Sequence, residues 1–121
     1  DTITLAAGTY TLSIDNGGSL SDEQEGDLNV SESLTIIGSA GPTLTVIDGG
    51  QIDRIFSITG DVVTISGVTL QNGQSSIGDG GAIIAEGTLV IEDSIIRNNR
   101  TDGFGGAISF SGVNSGGMLQ I

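Results

Sequence analysis

With 121 residues the chain is long enough for one domain with a modest core. Fifteen carboxylates against three arginines and no lysine leave a net charge of −12. Such a charge repels nucleic-acid phosphate and anionic lipid, so neither nucleic acid nor membrane is an expected partner.

The absence of cysteine and histidine excludes disulfides, thiolate nucleophiles, serine–histidine triads and ordinary zinc sites. No apolar run approaches the ~20 residues of a membrane-spanning helix. Twenty-one glycines, one proline and abundant Ile, Val, Leu and Thr point to strands and turns.

The chain starts in strand rhythm at Asp1-Thr2-Ile3-Thr4-Leu5, which reads as a processed or truncated end. Ile3/Leu5 is the first alternating apolar pair and Leu12/Ile14 the second. A polar insertion follows over 15–27, and Leu28/Val30 makes a third pair. The second cycle runs Leu34/Ile36, Leu44/Val46 and Phe56/Ile58, with loops at 38–43 and 49–54. The third runs Val63/Ile65, Val68/Leu70 and Ile83/Ala85, with a loop at 73–79. The fourth runs Leu89/Ile91, Ser94/Ile96 and Ile108/Phe110, with loops at 99–104 and 111–117, and Leu119/Ile121 opens a fifth.

Three kinds of strand thus recur in fixed order, with Gly60, Gly87 and Gly112 closing the third kind at spacings of 27 and 25 residues. No stretch has the i, i+3, i+4, i+7 pattern of a helix, and the order does not suit hairpins. A repeat of this length is a unit that buries its apolar side only by stacking on a neighbour. The expected fold is therefore all-β: a right-handed parallel β-helix, one domain over 1–121, with about four coils of three short strands. At ~4.8 Å per coil the stack is roughly 20 Å tall.

"DGGAIIAEG" at 79–87 and "FGGAISFSG" at 104–112 repeat the tetrapeptide Gly-Gly-Ala-Ile. Gly80, Gly81, Gly105 and Gly106 are read as one corner of consecutive coils, where positive φ or close backbone approach requires glycine. Ala82 and Ala107 are expected to point outward.

"DTITLAAGTYTL", "GDLNVSESLTIIGSAGPTLTVIDGG" and "DRIF" resemble bacterial surface β-helix proteins that carry a CSLREA domain and, often, a choice-of-anchor sorting region. The Gly-Gly-Ala-Ile tetrapeptides resemble the repeats of polymorphic outer-membrane proteins, over residues 68–112. There Thr69 and Ile95 stand where those repeats have Phe ahead of Asn72 and Asn98. Both groups belong to the pectin-lyase-like superfamily. The resemblance implies a secreted or cell-surface β-helix acting as adhesin, passenger or stalk.

Asp48, Asn72 and Asn98 each follow a second-kind strand, and are expected to form a stacked polar ladder. Asp22, Glu23, Glu25 and Asp27 in the insertion are weak calcium candidates, because "DEQEGD" lacks the alternating register of a calcium loop. No metal or other cofactor is expected. Arg97, near Glu92 and Asp93, is read as a salt-bridge partner rather than a base, with Gln71 and Ile47 at its position in other coils. Arg54 is expected to pair with the insertion or with its neighbour Asp53. No catalytic residue is assigned. Thr35, Thr64 and Thr69 are read as outward but not as a flat threonine array, and Phe104 is the one aromatic expected in a loop.

Both ends of such a stack present unpaired strand edges. Ile3, Leu5, Leu119 and Ile121 are the expected self-association residues there, meeting either the remainder of a longer chain or further copies end to end. The function expected is a non-enzymatic structural or adhesive module. The alternative is a carbohydrate-binding or polysaccharide-degrading module, with cell-surface polysaccharide as partner.

Overall fold

The computed structural model describes residues 1–13, 27–75, 78–111 and 117–121. Among them every strand pairs in parallel and no helix is present.

The first sheet stacks β1 (Thr2–Leu5), β4 (Leu34–Gly38), β7 (Val62–Ser66), β11 (Thr88–Glu92) and β15 (Leu119–Gln120), in that order. The second stacks β2 (Gly8–Thr11), β5 (Thr45–Asp48), β8 (Thr69–Gln71) and β12 (Ile95–Arg97). The third stacks β3 (Leu28–Val30), β6 (Phe56–Ile58), β10 (Ile83–Ala85) and β14 (Ile108–Phe110). A short fourth wall, β9 (Gln74–Ser75) on β13 (Arg100–Thr101), lies within the stretches expected to be loops. The chain visits the three main sheets in turn, four times over, which is a parallel β-helix.

Strands of two to five residues cannot hold themselves together. Each is held by backbone hydrogen bonds to its neighbouring coils, and by apolar columns facing inward. In the first sheet Leu34, Val63 and Leu89 stand in register, as do Ile3, Ile36, Ile65 and Ile91. Val63, Ile65 and Leu89 are fully buried. The third sheet adds Phe56 on Ile83, and Ile58 on Ala85, all buried.

The structure corrects the sequence reading at three places. In β1, Ile3 stacks on Ile36 and Leu5 on Gly38, two residues from the expected pairing of Ile3 with Leu34. Leu5 packs against the core beside a position that has no side chain of its own. In β5 the inward residues are Thr45 and Ile47, and Leu44 is 59% exposed. The run Leu44-Thr45-Val46-Ile47 supports either parity. A turn in which Leu44 and Thr45 both donate to the Gly41 carbonyl sets Leu44 outside and starts the strand at Thr45. Thr69, likewise, is buried rather than outward.

Third, Ala82 is buried in the core rather than pointing outward, and Ala107 is half-buried. The N–H groups of Ile55 and Phe56 both donate to the Ala82 carbonyl, and those of Ala82 and Ile83 both donate to Ala107. That double pairing breaks the pleat, so consecutive side chains turn inward on entering the third sheet.

Candidate functional site

The outer side of the second sheet carries one polar column. Thr11, Asp48, Gln71 and Arg97 are register partners in successive coils. Arg97 Nε donates to Gln71 Oε1 at 3.0 Å, and Gln71 Nε2 donates to Asp48 Oδ2 at 2.8 Å. A guanidinium only donates and a carboxylate only accepts, so the amide between them must relay both bonds. Asn72 Nδ2 donates to the same Asp48 oxygen at 2.9 Å, and the Gly50 N–H donates to the other at 2.8 Å.

Burial acts to raise the Asp48 pKa. The donors Gln71, Gly50 and Asn72 outweigh it and hold the carboxyl below its ordinary value. With three donors on its two oxygens, this carboxylate is stabilised in its charged form.

The expected ladder is therefore redrawn. Asp48 is one residue out of step with Asn72 and Asn98: its register partner is Gln71, and Asn72 reaches it from the side. Asn72 and Asn98 share a different feature, left-handed backbone at φ 56 and 55. The amide that ties the upper coil to the one below is Asn99. Its Oδ1 accepts from the Gly73 N–H at 2.8 Å, and its Nδ2 donates to the Leu70 carbonyl at 3.1 Å. The position occupied by Ile47 in the expected Arg97 column belongs to Asp48.

A second network runs up the edge where the chain enters the third sheet. Arg54 Nε meets Asp27 Oδ2 at 3.1 Å, with the Asp27 side chain only 7% exposed, and Arg54 Nη1 donates to the Asp79 carbonyl at 2.9 Å. Asp79 Oδ1 in turn accepts from the Phe104 N–H at 2.7 Å. Asp27 is thus engaged by an arginine. Asp22, Glu23 and Glu25 lie outside the described residues, and among those described no group of three potential metal ligands occurs. Arg100 and Asp102 face each other at 3.7 Å, both well exposed.

Gly80 and Gly105 have φ 74 and 67, and a Cβ on either would run into the carbonyl of Ile83 or Ile108. They occupy the same corner of successive coils. A Cβ on Gly81 would strike the Gly106 carbonyl, whereas one on Gly106 would meet nothing within 4 Å. Gly81 is covered by the next coil and Gly106 is not.

At the lower end Ile3, Tyr10 and Leu28, one core-column residue from each first-coil strand, are 47%, 39% and 43% exposed, whereas Val30, in register with Ile58, is buried. Leu5 is half-buried. Leu119 pairs in register with Leu89, and Ile121 is exposed. Phe104 is the most exposed large apolar side chain of the described residues.

A shallow cleft of about 200 Å³ lies between β3 and β4, beside Asp1 and Glu32. That is below the size of a typical small-molecule site. The arrangement as a whole ties coil to coil: its polar groups bond to one another across the stack.

The Arg54–Asp27 pair meets the expectation that Arg54 pairs with the insertion, whereas the bridging roles of Gln71 and Asn99 were missed in the sequence. The spacing of 26 residues between Gly73 and Asn99 is the signal that could have placed an amide over the glycine. Comparison with family models, curated proteins and solved structures finds no match for this chain.

Proposed function

We propose that the chain is a non-enzymatic structural or adhesive β-helix module of a secreted or cell-surface protein. This is also what the resemblance to CSLREA-type proteins of the pectin-lyase-like superfamily implies. The observation that carries the reading is the direction of the polar side chains. Arg97, Gln71 and Asp48 form one cross-coil relay, and Phe104, Asp79, Arg54 and Asp27 form another. In these two relays, groups that could serve as acid, base or ligand are engaged in holding neighbouring windings together.

The partner is a further parallel coil, from the remainder of a longer chain or from another copy. β1, β2 and β3 lie at the edges of their sheets, and Ile3, Tyr10 and Leu28 there are open to solvent. Uncovered edges of this kind accept added strands.

Two measurements test this. The protein incubated with calcium and polygalacturonate is expected to give no rise in ultraviolet absorbance from unsaturated sugars. Sustained product would replace the reading with the polysaccharide-degrading alternative. Electron microscopy over a range of concentrations tests assembly from copies: end-to-end particles support it, and monodisperse short particles count against it.

A further inference from the structure

We infer that Asn72–Gly73 is a latent deamidation site that the amide of Asn99, one coil above, holds closed.

An Asn-Gly pair is the dipeptide most open to this chemistry, because glycine has no side chain to shield its backbone nitrogen. That nitrogen loses its proton and attacks Asn72 Cγ. The N–Cγ bond forms, the Cγ–Nδ2 bond breaks, and ammonia leaves. Water then opens the resulting succinimide at one carbonyl or the other, giving aspartate or isoaspartate.

The fold itself demands this vulnerable pair. Residue 72 turns the corner with φ 56, a left-handed conformation that asparagine tolerates. It also supplies an amide to Asp48 Oδ2 at 2.9 Å. Residue 73 must be glycine, because a Cβ there would run into the Gly81 carbonyl and come within 3.0 Å of Asn99 Oδ1. Stacking therefore selects Asn followed by Gly.

The same stacking supplies the guard. Gln71 and Arg97 are register partners, so Asn99 lies over Gly73. Its Oδ1 takes the Gly73 N–H at 2.8 Å. Its Nδ2, bound to the Leu70 carbonyl at 3.1 Å, fixes which way the amide faces. The attacking nitrogen is buried and its proton is engaged, while the leaving amide is held on Asp48. Conversion would place a second carboxylate against Asp48, where an attractive bond now stands.

The test is peptide mapping by mass spectrometry of folded protein held at mildly alkaline pH. Asn99→Ala is expected to raise the conversion rate at Asn72 about tenfold, the factor matching one lost hydrogen bond. Asn99→Asp keeps an acceptor for the Gly73 N–H but loses the donor to the Leu70 carbonyl, and is expected to convert more slowly than Asn99→Ala. In denaturant all three proteins should convert equally fast. The inference is overturned if folded Asn99→Ala matches the parent, or if Asn99→Asp is as fast as Asn99→Ala. Should Asn99→Ala fail to fold, the parent alone decides: conversion as fast in the folded as in the denatured protein overturns the guard, and slower conversion supports it together with a protected Asn99→Asp.

Discussion

Thr45 is completely buried and its hydroxyl has no hydrogen-bond partner. The residue at its place in the coil above is Val68, equally buried, by the register that sets Val46 beside Thr69. Thr45→Val replaces an unpaired hydroxyl with a methyl of similar size, and is expected to stabilise the protein by about 1 kcal/mol, read as a higher urea midpoint. A lower midpoint would mean the hydroxyl has a partner. Asp48 gives a prediction of opposite kind. Its folded pKa lies below the unfolded value of roughly 3.9, so its contribution is complete above that value and is lost as pH falls through the folded pKa. Asp48→Asn should be less stable than the parent at neutral pH, with the gap closing in acid. A gap that is unchanged down to acid pH would show that the donors favour the amide equally.

Corners are decided by what lies in the next coil, and three glycines separate the causes. Gly67 has φ 73 and its Cβ would strike the Gly38 carbonyl. Gly41 has φ 87 but open space around it, and Gly106 has neither constraint. Gly67→Ala is expected to cost well over 2 kcal/mol, Gly41→Ala about 1 kcal/mol from backbone strain alone, and Gly106→Ala under ~0.5 kcal/mol. Thermal unfolding of the three variants checks the order. An equal loss at Gly41 and Gly67 would remove the close coil-to-coil approach from the account. Strand parity shows the reach of the sequence at this scale. Phe56/Ile58 and Ile83/Ala85 were legible because each pair stands at the same distance ahead of a glycine, Gly60 or Gly87, that closes the strand. β5 was not, because Val46 and Ile47 are adjacent and a turn outside the strand chose between them.

Across the whole molecule, stability should run from the middle of the stack to its ends. Leu89 is fully buried and stands in register with Val63, so Leu89→Ala should cost roughly 2–5 kcal/mol. Ile3 in the first coil is half open to solvent, and Ile3→Ala should cost under about 1.5 kcal/mol. Amide hydrogen exchange should follow the same gradient, with β4, β7 and β8 protected longest and β1, β2 and β3 exchanging first. Uniform exchange would indicate that the lower edge is covered in solution.

Composition, alternation and the spacing of the Gly-Gly-Ala-Ile repeats were enough to establish a stack of parallel coils, because period-two alternation and glycine spacing are local properties of a chain. They also located the corners at Gly80 and Gly105. What waited for the tertiary structure was everything that depends on which residue lies above which. Asp48 bonds to Gln71 and Asn72, Asn99 reaches Gly73, and Arg54 joins Asp27 to Asp79. Loops of unequal length between the strands shift each coil against the next. Vertical register is therefore set by packing and hydrogen bonding between coils, at sequence separations that alternation alone does not encode.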